Sequence, residues 1–304
     1  MITGGAGFIG SHLSQRLSKN NEIIVFDNLS SGKKDFLKNV NCEFILGDIT
    51  ELSSITAACK DVEMVYHMAA NPEVRQSLTN PLTTFRNDVL GTMNVLEACR
   101  HNDIKKIIFP SSSTVYGLAD VVPTPETSPI VPISNYAAAK AACENYIMSY
   151  SYLYGVSGVI LRYANIIGPR TTHGVIYDFY NKLRSGPNEL EILGDGTQNK
   201  SYLHVSDCVD ATLLSTKISK EPFDVFNICA KDQLTVARIA DIVVSKLGLK
   251  NVEYKYTGGE GGWKGDVPKF LLDSSKLISK GWLPKHSTEQ AVTDTVEWLK
   301  NTYG

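Results

Sequence analysis

A chain of 304 residues, 43% hydrophobic and 20% charged, is long enough for two lobes and has the composition of a folded globular protein, which excludes wholesale disorder. With a formal net charge of −2 and no basic block, it gives no electrostatic reason to expect nucleic acid or an anionic membrane as a partner. No apolar run reaches transmembrane length, and the N-terminus lacks the apolar stretch of a signal peptide.

Six cysteines (Cys42, Cys59, Cys99, Cys143, Cys208 and Cys229) are scattered without a C-x-x-C pair. They read as buried free thiols in a reducing cytoplasm, rather than as disulfides or zinc ligands. The histidines show no metal spacing, so no metal site is expected.

The chain opens on Thr3-Gly4-Gly5-Ala6-Gly7-Phe8-Ile9-Gly10, directly before the helical pattern Phe8–Leu17. Glycines are required where backbone must approach a pyrophosphate, and the helix N-terminus offers free N–H groups to phosphate. Only Met1 and Ile2 precede Thr3, whereas a central first strand should have about five residues. The first strand is therefore expected to be either unusually short or missing residues.

The next apolar run, residues 22–26, ends in Asp27 and is followed by Asn28, Ser30 and Gly32. A carboxylate there can accept from both ribose hydroxyls and repel a 2′-phosphate, which favours NAD over NADP. The run 42–46 leads to Asp48 and Ile49, with Asp48 placed to bond an adenine.

Further short apolar runs at 64–66, 107–109, 156–161 and 224–228 alternate with helix-length segments at 52–59, 82–101 and 134–154. This alternation predicts an α/β fold, a Rossmann-like doubly wound parallel sheet whose ligands bind beyond the carboxyl ends of the strands. After Gly168 the pattern loosens, and glycine pairs punctuate shorter elements. A dinucleotide-binding domain over 1–167 and a smaller substrate lobe over 168–304 are expected, with a return to the first domain around 203–232.

Tyr136 and Lys140 sit four apart in the Ala-rich segment Asn135-Tyr136-Ala137-Ala138-Ala139-Lys140, so a helix projects both from one face. An ammonium beside a phenol stabilises the phenolate, and a fall of roughly 3 pKa units corresponds to about 4 kcal/mol. Upstream, Ser111-Ser112-Ser113-Thr114-Val115-Tyr116-Gly117 places hydroxyls at the end of a buried strand, where they can bond a substrate oxygen and the phenol together.

Glycine turn, hydroxyl cluster and Tyr/Lys pair, in this order, resemble the extended short-chain dehydrogenase/reductase family. Within it the chain is similar to the UDP-glucose 4-epimerase group over essentially its whole length. The matching stretches are 3–13, 27–32, His67-Met68-Ala69-Ala70, 111–117, 136–140, 161–168 and 194–207.

The resemblance implies Ser112, Tyr136 and Lys140 as the catalytic residues. It implies cofactor contacts from Gly4, Gly7, Phe8, Ile9 and Gly10 in the turn, and from Asp27, Asn28, Ser30, Gly32, Asp48 and Ile49 at the next two strand ends. Ala69, Ala70, Asn87, Tyr136, Lys140 and Tyr163 complete that set. In the implied mechanism, NAD takes the C4 hydride of a UDP-sugar while Tyr136 takes the 4-hydroxyl proton. A transient 4-keto sugar then receives the hydride on its other face. A homodimer built on helices 82–101 and 134–154 is also implied.

Among relatives, the 4,6-dehydratases carry an Asp-Glu pair where this chain has Ser113 and Thr114, neither of which is an acid near neutral pH. That leaves epimerisation of UDP-glucose and UDP-galactose as the expected reaction. A dehydrogenase or reductase with net cofactor turnover, or an epimerase of another UDP-sugar, is the alternative.

At the substrate end the family's two diphosphate-clamping arginines are absent. The chain reads Lys200-Ser201-Tyr202 and Trp263-Lys264-Gly265-Asp266 instead, and lysine cannot form a flat bidentate fork. Ser112, Asn165, His173, Val175, Lys200, Tyr202, Lys264 and Asp266 are the candidate substrate contacts, with Arg75 or Arg170 as possible phosphate partners.

Overall fold

The computed structural model describes residues 1–220 and 222–304, and the chain divides into two compact units. The first comprises residues 1–118, 129–163 and 211–227, the second residues 119–128, 164–210 and 228–304. The segment 119–128 belongs to the second unit because Thr124 donates its N–H to Leu271 O and its carbonyl accepts from Asp273 N. Residues so close to the end of the first unit carry no sign of that pairing in their own composition.

Seven strands make the sheet of the first unit. Six are β1 (Ile2–Thr3), β2 (Ile24–Asp27), β3 (Glu43–Leu46), β4 (Met64–His67), β5 (Lys106–Ser112) and β6 (Ser157–Tyr163), and the strand Phe223–Ile228 is the seventh. Their order is Phe223–Ile228, β6, β5, β4, β1, β2, β3, and every pairing from β6 to β3 is parallel. All seven residues of β6 are buried, as a strand covered on both faces requires. The order of strands reverses between β1 and β4, the position at which such sheets open a crevice at their carboxyl ends.

β1 is only two residues long, yet it pairs on both sides, Thr3 with Phe26 and with His67. The ladder continues outward through Met1, whose ammonium donates to Met64 O and whose carbonyl accepts from Tyr66 N.

Helix α1 (Phe8–Leu17) leaves directly from the glycine turn. Residues 81–101 form one helical run, with a π turn over Phe85–Leu90 between the α segments Pro81–Thr84 and Gly91–His101. The long helix Asn135–Tyr154 starts at Ser134, whose side chain accepts from Ala137 N at 3.2 Å, and stops at Gly155 with φ +69°.

In the second unit, Asn165–Ile167 pairs in parallel with Tyr202–His204, and Glu189–Ile192 with Glu253–Tyr256. The helices Val175–Ser185, Val236–Leu247 and Thr288–Tyr303 share an apolar core through Phe179, Tyr180, Ile239, Val243, Val292 and Val296. Among the described residues all six cysteines are free, Cys42 half-buried and the others buried. No described helix is long and apolar enough to cross a membrane.

Replacing the cap of the long helix tests how far that helix carries the first unit. Ser134→Ala is expected to cost about 1 kcal/mol and lower the Tm by about 2 °C, read by calorimetry.

Candidate active site

The crevice end of the first unit begins with glycine geometry. Gly4 has φ +65°, and a Cβ there would stand 2.5 Å from Ala69 N, so β1 and the loop after β4 pass too closely for any side chain. A Cβ on Gly10 would overlap the Gly4 carbonyl oxygen, so α1 packs against the turn only without one. Gly7 is the N-cap of α1 and supplies no side chain to satisfy the helix's first N–H groups.

Asp27 is buried at the end of β2, where Oδ2 accepts from Ala6 N at 2.9 Å and Oδ1 from Leu29 N at 2.8 Å. Each oxygen keeps a lone pair for a further donor. Segment 28–33 closes over the turn, with Lys33 N bonded to Ala6 O and Ser30 N to Asn28 Oδ1.

Asp48 accepts from Thr50 N, Thr50 Oγ1 and Asn28 Nδ2. Burial works against its charge, but these donors and Arg86 hold the carboxyl below its ordinary pKa. Ile49 is buried in the core of this unit, and its carbonyl accepts from Asn94 Nδ2 at 2.9 Å, so its side chain is committed to packing. Phe8, Ile9, Ala69, Ala70 and Asn87 are half-buried in the turn, in the loop after β4 and in the π turn.

β5, the long helix and β6 bring the hydroxyl cluster and the Tyr/Lys pair together. The Ser112 side chain lies close enough to the Tyr136 phenol to act to lower its pKa, and the Ser112 hydroxyl accepts from Thr114 N and Thr114 Oγ1 at 3.2 and 2.9 Å. The backbone N–H of Tyr136 reaches Ser77 Oγ at 3.3 Å, and Asn135 Nδ2 reaches Ser77 O at 2.7 Å, which seats the start of the helix.

Lys140 is only 3% exposed; its ammonium donates to Pro110 O at 2.9 Å and lies 5.8 Å from the centre of the Tyr136 ring. Tyr163, paired in register with Ser112, bonds Thr212 Oγ1 at 2.6 Å through its hydroxyl, which leaves ring and backbone as its available surfaces.

The fall of the phenol pKa towards neutrality is expected of a site that also holds a cationic nicotinamide ring; the protein's own groups set a different balance. Burial raises the Tyr136 pKa above its ordinary value, and although Lys140 and the Ser112 side chain act to lower it, they do not overcome the desolvation. Burial, helped by the same ammonium, pushes His67 down to about 3. His67 therefore stays neutral, with its two ring nitrogens on Thr3 Oγ1 (2.7 Å) and Thr92 Oγ1 (3.0 Å).

Sequence reasoning missed the scaffold behind these groups. Glu144, one helical turn beyond Lys140, is fully buried and accepts from Ser111 Oγ at 2.5 Å and from Arg162 Nη2 at 2.7 Å. Arg162 in turn donates to Tyr116 Oη, which donates to Asn227 Oδ1, both at 2.8 Å. One charged network thus ties the long helix to β5, β6, the turn after Ser112 and the strand Phe223–Ile228. Two signals were legible: Glu144 continues the four-residue spacing of Tyr136 and Lys140, and an arginine inside an apolar strand requires a buried acid.

In the second unit, Asn165 Nδ2 donates to Ser201 O at 3.1 Å. Lys200 is paired with Asp266 at 2.5 Å and lies 5.3 Å over the Trp263 ring, so its charge is already balanced by a carboxylate. Asp266 Oδ2 also accepts from Gly262 N. Tyr202 is packed in the apolar core and Val175 lies against it, whereas Lys264 is exposed. His173 stands just before Gly174, the N-cap of the helix Val175–Ser185, and its carbonyl accepts from Thr171 Oγ1.

A Rossmann-like sheet with a glycine turn at its crevice, an acid at the end of β2 and a Ser/Tyr/Lys group on β5 and the long helix defines a dinucleotide-dependent enzyme. The profile of the NAD dependent epimerase/dehydratase family matches residues 1–229. A Methanocaldococcus jannaschii protein named provisionally as a UDP-glucose 4-epimerase is 37% identical, over 99% of this chain and 98% of its own.

Among solved structures, a UDP-galactose 4-epimerase superposes with a TM-score of 0.92 at 44% identity, covering 100% of this chain and 99% of that one. The UDP-N-acetylglucosamine 4-epimerase of Methanobrevibacter ruminantium, in complex with UDP-N-acetylmuramic acid, has a TM-score of 0.89 at 34% identity, covering 99% and 97%. The chain belongs to the NAD dependent epimerase/dehydratase family and is an NAD-dependent enzyme.

Removing one partner of the buried Glu144–Arg162 pair leaves an uncompensated charge. Glu144→Ala is expected to cost about 3–5 kcal/mol in denaturant unfolding, far more than loss of a surface pair.

Proposed function

We propose that this enzyme is a nucleotide-sugar 4-epimerase that interconverts UDP-glucose and UDP-galactose, with Ser112, Tyr136 and Lys140 as its reacting group. The observation that carries this reading is the convergence of the Ser112 side chain and the buried Lys140 ammonium on the Tyr136 phenol. The neighbouring Ser113 and Thr114 provide no acid to expel a hydroxyl, which supports epimerisation over dehydration. The activities named for the 44% and 37% identical relatives support it further.

The residues at the crevice fit a dinucleotide. The turn holds no side chain that would keep a pyrophosphate from the N–H groups of α1, and Asp27 keeps lone pairs for ribose hydroxyls. NAD, when bound, supplies the acceptor for the C4 hydride and returns it.

Tyr136 takes the proton of the sugar 4-hydroxyl at its phenolate oxygen and gives it back in the second half of the cycle. Ser112 donates to that oxygen, and Lys140 steadies the negative charge. Burial holds the phenol up, so the phenolate must form against desolvation and the rate rises with pH as it does. Lys200 is the candidate partner of the diphosphate, once released from Asp266.

The exposed apolar side chains Leu82 and Phe85 on one helical run, with Tyr146 and Leu153 on the long helix, support a homodimer. Five buried free thiols suit a reducing cytoplasm.

Tyr136→Phe is expected to lower kcat by about a thousandfold while the protein still retains NAD, because only the ionisable oxygen is lost. Retention of most activity would remove Tyr136 from the base role.

For the reaction itself, the purified protein, given UDP-galactose and no added cofactor, is expected to produce UDP-glucose. Stoichiometric release of NADH would replace epimerase by dehydrogenase. Faster turnover of UDP-N-acetylglucosamine in the same assay would move the substrate to the N-acetylated sugars.

A further inference from the structure

The π turn Phe85–Leu90 packs against the long helix that carries Tyr136 and Lys140. Such turns shift the register of a helix by one residue and recur at functional sites. Here the shift buries Asp88, which is 2% exposed, while Phe85, Arg86 and Leu90 around it are exposed.

The carboxyl is used on one side only. Oδ1 accepts from Asn71 N at 2.7 Å, fixing the loop that follows β4, and Oδ2 is buried with no hydrogen-bond partner among the described residues. Leaving a carboxylate oxygen buried and unbonded costs stability, so its retention needs a reason.

The charges around it supply one. Tyr136, Lys140 and Cys143 of the long helix all interact electrostatically with Asp88, and Cys143 Sγ also donates to its carbonyl at 3.4 Å. His67 on β4 feels the same ammonium but is neutral, and Glu144 acts on Cys143 while bound to Arg162. Asp88 is thus the buried acid of this cluster with an oxygen uncommitted to any hydrogen bond.

We propose that Asp88 is a positioning residue for the reacting group: its buried carboxylate is the counter-charge of Lys140 and sets how much of that ammonium's field reaches the Tyr136 oxygen. The proposal rests on the reading of Tyr136 as the base. The sign follows from electrostatics alone. A negative Asp88 opposes ionisation of the phenol, so removing its charge makes the phenolate easier to form. Burial raises the Asp88 pKa above its ordinary value, while Lys140 and the Asn71 N–H hold that rise in check.

Asp88→Asn separates charge from shape, because an amide oxygen can still accept from Asn71 N. Two readouts apply to the NAD-loaded protein. One is the acid limb of kcat/KM with UDP-galactose. The other is the absorbance titration of the phenol, taken as Asp88→Asn minus the Asp88→Asn/Tyr136→Phe double variant, against wild type minus Tyr136→Phe.

Both midpoints are expected to move about one unit to lower pH, with NAD retention unchanged. Asp88→Ala is expected to show the same shift and, having lost the Asn71 bond too, weaker NAD retention. Midpoints that stay within about 0.2 unit of wild type, or move upward, would overturn the proposal. If Tyr136→Phe kept its activity the base reading would fall, yet the absorbance titration would still read the effect of Asp88 on that phenol.

Discussion

The site is organised around one ammonium taken out of water. Lys140 is held by the Pro110 carbonyl and lies against the rings of Phe109 and Tyr136, 4.7 and 5.8 Å from their centres. A buried cation costs several kcal/mol in desolvation unless its surroundings compensate. Here the Pro110 carbonyl and two aromatic faces surround it, and the adjoining π turn brings the buried Asp88 near enough to act on its charge.

Behind that layer the structure is tied by a second charge pair. Glu144 and Arg162 are both almost fully buried, and Glu144 binds Arg162 of β6 through both carboxylate oxygens while also accepting from Ser111 Oγ of β5. Ser111 is anchored this way while the next residue, Ser112, meets Tyr136. Adjacent serines of one strand therefore divide support and reaction between them. The position of the phenol relative to the hydroxyl follows from a network that touches neither.

Much of this was legible in the sequence because it depends on local rules. The alternation of apolar runs with helical segments placed six of the seven sheet strands within a few residues of their observed ends, and the spacing of Tyr136 and Lys140 put both on one helix face. What was not legible depended on contacts between distant segments. The π turn inside residues 81–101 leaves no periodic mark, so nothing in the helix-length segment sets Asp88 apart. The burial of the phenol, which raises rather than lowers its pKa, is a property of packing and not of spacing. Tyr202 and Ile49 sat at motif positions yet their side chains lie in apolar cores, because a motif records where the backbone passes and not which way a ring or branched chain turns. The pairing of Lys200 with Asp266 joins residues 66 positions apart.

His67 carries a consequence for anyone following this protein by titration. An imidazole clamped between two threonine hydroxyls and facing a buried cation takes up a proton only near pH 3, so it is silent over the whole range in which enzymes are assayed. An inflection close to neutrality, which habit assigns to a histidine, cannot originate at the heart of this crevice from that ring.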